Sequence, residues 1–301
     1  MFLNYKEAFN KMTDKVIGFI GTGVMGQGMI KNLLKKGFKV NIHTRTKVKA
    51  TQLITEGAEW MYSVKQLSEK SDVIITMIGT PDDVEAVYFG SDGLIENVKP
   101  STMLIDMTTS KPSLAKNIYD IAKLKDIKVL DAPVSGGDVG ANNGKLTIMV
   151  GGDEDDFNAA LPILQAMGEN IRLQGPAGAG QHTKVVNQVS IASGMIGMIE
   201  ALIYAEKANL DANTVLKSIG TGAAGSWSLD NYAPRIIKND FAPGFAIKHF
   251  IKDMEIAIES AHELGMTTPG LELALSMYKE LAANGLEEKG IHALMLYYTQ
   301  A

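Results

Sequence analysis

Lys184 and Asn187 stand three residues apart in GAGQHTKVVNQ (178–188), just after a glycine-rich break and at the entry to a long predicted helix. Side chains at i and i+3 project from one face of a helix, here expected toward a cleft between two domains. A lysine so placed can give a proton to a substrate oxygen, or take one from it, while the adjoining carbon exchanges hydride with a nicotinamide. An isolated Lys/Asn pair would be a surface lysine beside a helix-facing asparagine. The motifs around it turn the reading toward chemistry.

The first is Gly21-Thr22-Gly23-Val24-Met25-Gly26, which follows the apolar run VIGFI (16–20) and precedes a stretch of helical composition ending at Gly37. A GxGxxG between a strand and a helix, within a βαβ unit of about 30 residues, is a dinucleotide-binding fingerprint. Gly21 permits the tight turn, Gly23 lets backbone approach a pyrophosphate, and Gly26 allows close helix packing. The helix N-terminus adds amide donors and its dipole.

The end of the second strand discriminates between cofactors. An NAD site usually presents a carboxylate there to the adenosine ribose. This chain instead reads His43-Thr44-Arg45-Thr46-Lys47, two cations and two hydroxyls where a 2′-phosphate would sit. A guanidinium pairs with that phosphate where a carboxylate repels it, so NADP(H) is preferred and NAD(H) remains possible.

A third motif, Asp131-Ala132-Pro133-Val134-Ser135-Gly136-Gly137, closes the strand-like run KVLDAP (128–133). Ligands of open α/β sheets bind at the carboxyl ends of strands. Ser135, Gly136 and Gly137 can offer a hydroxyl and unobstructed amides to a small carboxylate. Trp227, Asn231 and Phe245 fall in or near the GSWSLDN and PGF breaks, where pocket lining competes with core packing. No metal site is expected: cysteine is absent, the five histidines are scattered, and His262-Glu263 lacks a second histidine at helical spacing.

Positioning these groups requires two domains. Six β-rich runs, at 16–20, 39–43, 72–78, 102–107, 128–133 and 145–150, alternate with helical segments, the rhythm of a doubly wound, mostly parallel α/β sheet. QGPAGAG (174–180) reads as a linker, and beyond it nearly everything looks helical, beginning with a helix from about Gln181 to Asn209. The expected division is residues 1–14 as an N-terminal extension, 15–177 as a dinucleotide-binding Rossmann domain and 178–301 as an all-α domain.

With 34 acidic against 29 basic residues, the chain lacks the basic field that nucleic acid requires. The longest apolar stretch, Val189 to Ile199, falls short of the roughly 20 residues of a membrane span. The N-terminus has neither the cationic start nor the apolar run of a signal peptide. A cytoplasmic location follows as the default expectation, consistent with zero cysteines.

In combination, GFIGTGVMGQGM (18–29), DAPVSGGDVGANNGKLTIMVGG (131–152), GAGQHTKVVNQ (178–188) and FAPGFAIKHFIKDMEIA (241–257) resemble the β-hydroxyacid dehydrogenase family across residues 15–300. The resemblance implies a Rossmann domain joined to an all-helical domain like the C-terminal domain of 6-phosphogluconate dehydrogenases. The long first helix would pack against another subunit in a homodimer or homotetramer. It implies Lys184 as catalytic acid/base, Asn187 as a substrate-orienting group, and Ser135, Gly136 and Gly137 as the carboxylate-binding segment. Met77, Ile78, Thr109 and Lys252 fall at family cofactor-contact positions. Where NAD-preferring relatives carry a ribose-binding aspartate, this chain has Thr44 and Arg45. The implied reaction interconverts a small β-hydroxy acid and its semialdehyde. The alternatives are a 6-phosphogluconate dehydrogenase-like enzyme, for which the helical domain is short, an imine reductase, in which the lysine position typically differs, and an inactive NADP-binding sensor, which would be expected to lose the proton donor or the carboxylate site.

Overall fold

A computed structural model of the chain describes residues 14–299. The expected extension lies outside the described residues except for Asp14. The chain divides into two compact units, the first ending at Lys184 and the second beginning at Val185.

Among the described residues the first unit is built on nine strands: β1 (Val16–Ile20), β2 (Lys39–His43), β3 (Glu59–Trp60), β4 (Val73–Thr76), β5 (Met103–Asp106), β6 (Lys128–Asp131), β7 (Val134–Ser135), β8 (Leu146–Gly151) and β9 (Gly168–Gly175). They form one sheet in the order β3-β2-β1-β4-β5-β6-β8-β7, with β9 paired to β8. Pairing is parallel from β3 through β6, antiparallel where β8 meets β6 and β7, and parallel again between β8 and β9. Strands buried on both faces read as continuous apolar runs, and these do. Ile17, Phe19, Ile75, Ile105 and Leu130 enter one core, while Ile20, Ile74, Leu104 and Val129 enter a second core on the opposite face. This is the doubly wound, mostly parallel Rossmann sheet that the sequence predicts.

Its principal helices are α1 (Val24–Lys35), α2 (Pro81–Phe89), α3 (Pro112–Lys123), α4 (Gly137–Asn143) and α5 (Glu154–Leu164). The sequence reading omits β3, β7 and β9. The first two are only two residues long. In β9 only Ile171 and Leu173 are apolar and half-buried while Glu169, Asn170, Arg172 and Gln174 are exposed, so it lacks the apolar signature of the central strands.

The second unit is entirely helical among the described residues. It contains most of α6 (Ala179–Lys207), then α7 (Ala212–Ile219), α8 (Ile247–Glu263) and α9 (Pro269–Ala283), joined by shorter turns. Its core gathers Ala192, Met195, Ile199 and Leu202 of α6 around Phe250, Met254 and Tyr278. At 29 residues, α6 is long and apolar enough by length and composition to cross a membrane, which a reading confined to Val189–Ile199 does not register. A third of its most apolar stretch is buried, with Ala192, Met195, Ile199 and Leu202 on the covered face.

Candidate active site

The glycine loop takes its shape from close approaches. Gly21 has φ +105°, and a Cβ there would lie 2.1 Å from the Met77 carbonyl oxygen, so only glycine fits this conformation. Its amide donates to the His43 carbonyl at 3.0 Å, tying the loop to the end of β2. A Cβ on Gly26 would stand 2.1 Å from the Gly21 carbonyl oxygen, so α1 packs flush against the turn. Gly23 differs: an added Cβ would meet nothing within 4 Å.

No side chain caps the N-terminus of α1, and its first turn holds no acidic residue. The neighbouring Thr22 is 1% exposed, with an Oγ1 that finds no partner. Open space beside Gly23, unclaimed helix amides and an orphaned hydroxyl fit a pyrophosphate, which would supply the missing acceptors. Val24 is exposed and Met25 half-buried beside them.

At the end of β2, Thr44 is half-buried, and Arg45, Thr46 and Lys47 are exposed. Arg45 pairs with Asp83 at 3.3 Å on a side chain that is 87% accessible. Exposed pairs of this kind contribute only about 0–1 kcal/mol, so Arg45 can exchange that partner for a phosphate. Lys47 lies over the Trp60 and Tyr62 rings, a second cation held at the same rim. At the ends of β4 and β5, Met77, Ile78 and Thr109 are half-buried. The Ile78 amide donates to Thr108 Oγ1 at 3.1 Å.

The residues after β6 meet Lys184. Gly136 (φ +127°) and Gly137 (φ +61°) turn the chain between β7 and α4, with Ser135 and Gly137 half-buried and Gly136 exposed. Lys184, only 6% exposed, donates from Nζ to the Val134 carbonyl oxygen at 2.9 Å. A potential proton donor therefore sits one peptide from Ser135.

The start of α6 is clamped to β6. Asp131 accepts from the Gly178 amide at 2.7 Å and the Gln181 amide at 2.8 Å, filling acceptor positions that a helix N-terminus leaves open. Burial pushes its carboxyl above the usual range, and the bonds from these amides oppose that shift. Gly180 lets α6 touch the sheet, since a Cβ there would come within 2.4 Å of the Met149 carbonyl. These contacts explain why the compact units part at Lys184, inside the helix, rather than at the linker: the first turn and a half of α6 is bonded to the Rossmann unit.

In the second unit, Asn187 Nδ2 donates to Gln188 Oε1 at 2.7 Å, Gln188 Nε2 donates to Asp253 Oδ2 at 2.6 Å, and Lys252 Nζ lies 3.0 Å from Asp253 Oδ1. Gln188 and Asp253 are 1% and 3% exposed, so Asn187 and Lys252 are joined through a buried relay. Trp227 stands outside it, 60% exposed and edge-on to Tyr232. Asn231 bonds back to the Trp227 carbonyl, and Phe245 packs on Phe250. Sequence reasoning gave no role to Asp131, Gln181, Gln188 or Asp253. All four sit inside quoted motifs, Gln188 at the end of GAGQHTKVVNQ and Asp253 directly after Lys252. Among the described residues, no group of three or more His, Asp or Glu could hold a metal.

A Rossmann unit with a glycine loop shaped for a pyrophosphate, followed by a helical unit, defines a dinucleotide-dependent oxidoreductase. Residues 16–175 match the family described as the NAD binding domain of 6-phosphogluconate dehydrogenase. Residues 178–298 match that described as NAD-binding of NADP-dependent 3-hydroxyisobutyrate dehydrogenase. The chain is 59% identical to the uncharacterized oxidoreductase YkwC of Bacillus subtilis, over 93% of this chain and 97% of that protein. It is 36% identical to 2-hydroxy-3-oxopropionate reductase of Escherichia coli, over 89% and 92%. The solved structure of Mycobacterium tuberculosis 3-hydroxyisobutyrate dehydrogenase with L-serine is similar at 31% identity and TM-score 0.88, covering 95% of this chain and 99% of that one. The chain belongs to the β-hydroxyacid dehydrogenase family of NAD(P)-dependent oxidoreductases.

Proposed function

We propose that this protein interconverts a small β-hydroxy acid and its semialdehyde, preferring NADP(H), with Lys184 as general acid and base. The contact between Lys184 Nζ and the Val134 carbonyl carries the reading, because it sets a proton donor beside the serine and glycines suited to a carboxylate. The Ser135 hydroxyl and the Gly136 and Gly137 amides hold the substrate carboxylate, and Asn187 orients the substrate from the next turn of α6. The glycine loop and Arg45 hold the cofactor, with Met77, Ile78, Thr109 and Lys252 as further contacts. When bound, the nicotinamide gives or takes the hydride. In reduction, charged Lys184 gives its proton to the forming alkoxide; in oxidation, neutral Lys184 takes the proton back.

Assembly as at least a dimer through α6 belongs to the same proposal. Val186, Ser190, Gly194, Gly197, Ala201 and Tyr204 form an exposed stripe along that helix, small enough at its middle for close helix approach. Light scattering on the purified protein reads the oligomeric state, and a monomer removes this part of the proposal.

The functional test is oxidation of NADPH and NADH, side by side, against a panel of small aldehyde acids with Lys184→Ala as control. NADPH-preferring turnover that vanishes in the variant supports the reading. Equal use of NADH removes the cofactor preference, and turnover that survives Lys184→Ala removes the assigned role of the lysine.

A further inference from the structure

Gln181 is 0% exposed, and every polar group of its side chain is committed. Nε2 donates to the Thr108 carbonyl oxygen at 2.7 Å, and Oε1 accepts from the Ser110 amide at 2.9 Å. The side chain thus bonds the 108–110 segment as a neighbouring strand would, from both edges of one amide. Its backbone amide is held by Asp131. Thr108 is tied in turn to the strand ends on its other side, donating from its amide to Asp106 and accepting from the Ile78 amide. One turn further along α6, Lys184 reaches Val134.

We propose that Gln181 is a positioning residue that fixes the cofactor-facing 108–110 segment against the helical turn carrying Lys184. This rests on the function proposed above. A hydride donor and a proton donor must meet one carbonyl group in a single geometry, and errors of about 1 Å can cost on the order of a hundredfold in rate. Gln181 is a short covalent and hydrogen-bonded route between the two: Thr109 lies between its two bonded partners, and Lys184 lies three residues along its own helix. A buried glutamine confined to stabilising the fold would be replaceable, at a cost in stability, without changing the ratio of chemistry to binding.

The test compares wild type, Gln181→Met and Gln181→Glu, measuring NADPH affinity by fluorescence, thermal midpoint, steady-state rates, and the primary isotope effect with 4-deuterated NADPH. Exchange of the Ser110 amide with deuterium in the cofactor-free protein supplies a readout besides activity. Methionine keeps the length without either bond. Glutamate keeps the acceptor for Ser110 and, assayed at a pH where it is ionised, loses the donor to Thr108, and it serves as the second probe should the methionine variant fail to fold.

Assayed below its thermal midpoint, Gln181→Met is expected to lose tenfold or more in kcat. Its isotope effect should rise as hydride transfer becomes limiting, NADPH affinity should stay within threefold, and Ser110 should exchange at least tenfold faster. Gln181→Glu should retain Ser110 protection yet show the same kinetic signature. Folded variants with wild-type kcat and isotope effect overturn the inference alone, as does a loss fully accounted for by NADPH affinity. Wild-type turnover that survives Lys184→Ala overturns the proposed function and this inference together.

Discussion

Lys184 Nζ donates to the carbonyl oxygen of Val134 at 2.9 Å, which leaves the lysine one peptide from the Ser135 hydroxyl. If this lysine handles the substrate proton, Lys184→Ala should lower kcat by about a hundredfold to ten-thousandfold, the range general acid–base catalysis supplies. NADPH affinity should stay nearly unchanged. Lys184→Arg keeps a positive charge but cannot release its proton near neutrality, so it should be almost as inactive as alanine. An arginine variant with more than a tenth of wild-type turnover would show that charge, rather than proton exchange, is the contribution.

Gly23 and Gly26 of the loop should fail in different ways. At Gly26 an added methyl runs into the Gly21 carbonyl, whereas at Gly23 it meets no protein atom within 4 Å. Gly26→Ala should therefore destabilise the cofactor-free protein by about 1–3 kcal/mol, as overpacking typically does, and lower its thermal midpoint. Gly23→Ala should fold like wild type yet bind NADPH at least tenfold more weakly, because the methyl occupies the path of the pyrophosphate. Melting curves with and without NADPH separate the two, and a Gly23→Ala protein stabilised by NADPH as strongly as wild type would contradict the assignment.

The proposed preference for NADP(H) rests on Arg45. A hydrogen bond to a charged group contributes about 1.5–3 kcal/mol, which corresponds to roughly 10- to 100-fold in affinity. Arg45→Ala should reduce the NADPH/NADH ratio of kcat/KM by that factor, chiefly through the KM for NADPH. Arg45→Asp should carry the ratio below one by adding a ribose acceptor that repels the 2′-phosphate. Because Asp83 holds Arg45 at 3.3 Å, Asp83→Asn should tighten NADPH binding a few-fold. A ratio unmoved by all three substitutions would assign the preference elsewhere.

Much of this arrangement is legible in the sequence because backbone requirements leave clear traces. Gly21 is needed for a positive φ, Gly26 for a contact no Cβ survives, and the central strands for burial on both faces. The motifs also mark Lys184 and the Val134–Ser135 peptide. The polar groups that hold the site are less visible, since their meaning depends on partners far along the chain. Gln181 looks like any helical glutamine until Thr108 and Ser110, more than seventy residues earlier, come within hydrogen-bond distance. Asp131 and Asp106 do leave one trace: each closes an apolar run, VL before Asp131 and MLI before Asp106, and they pair in register on adjacent strands. A lone carboxylate closing a buried strand is a signal for an internal acceptor.

That buried carboxylate gives the last prediction. Burial raises the pKa of Asp106 to about 6, against the opposing hydrogen bonds from Thr76 and Thr108. In the unfolded chain the group titrates near 3.9, roughly. Between these values the folded protein holds a proton that the unfolded chain has released. Stability from this group therefore falls as pH rises from about 4 to about 6, then levels off, the reverse of a salt-bridged aspartate. A shift of this size corresponds to roughly 3 kcal/mol. Thr76 Oγ1 and the Thr108 amide both donate to Oδ1, so Asp106→Asn can keep both bonds while removing the titration. The variant should consequently gain on wild type in urea unfolding as pH is raised from 4.5 to 7.5, with the difference constant above about 7. Parallel pH profiles for the two proteins would mean that Asp106 ionises as readily in the fold as in water.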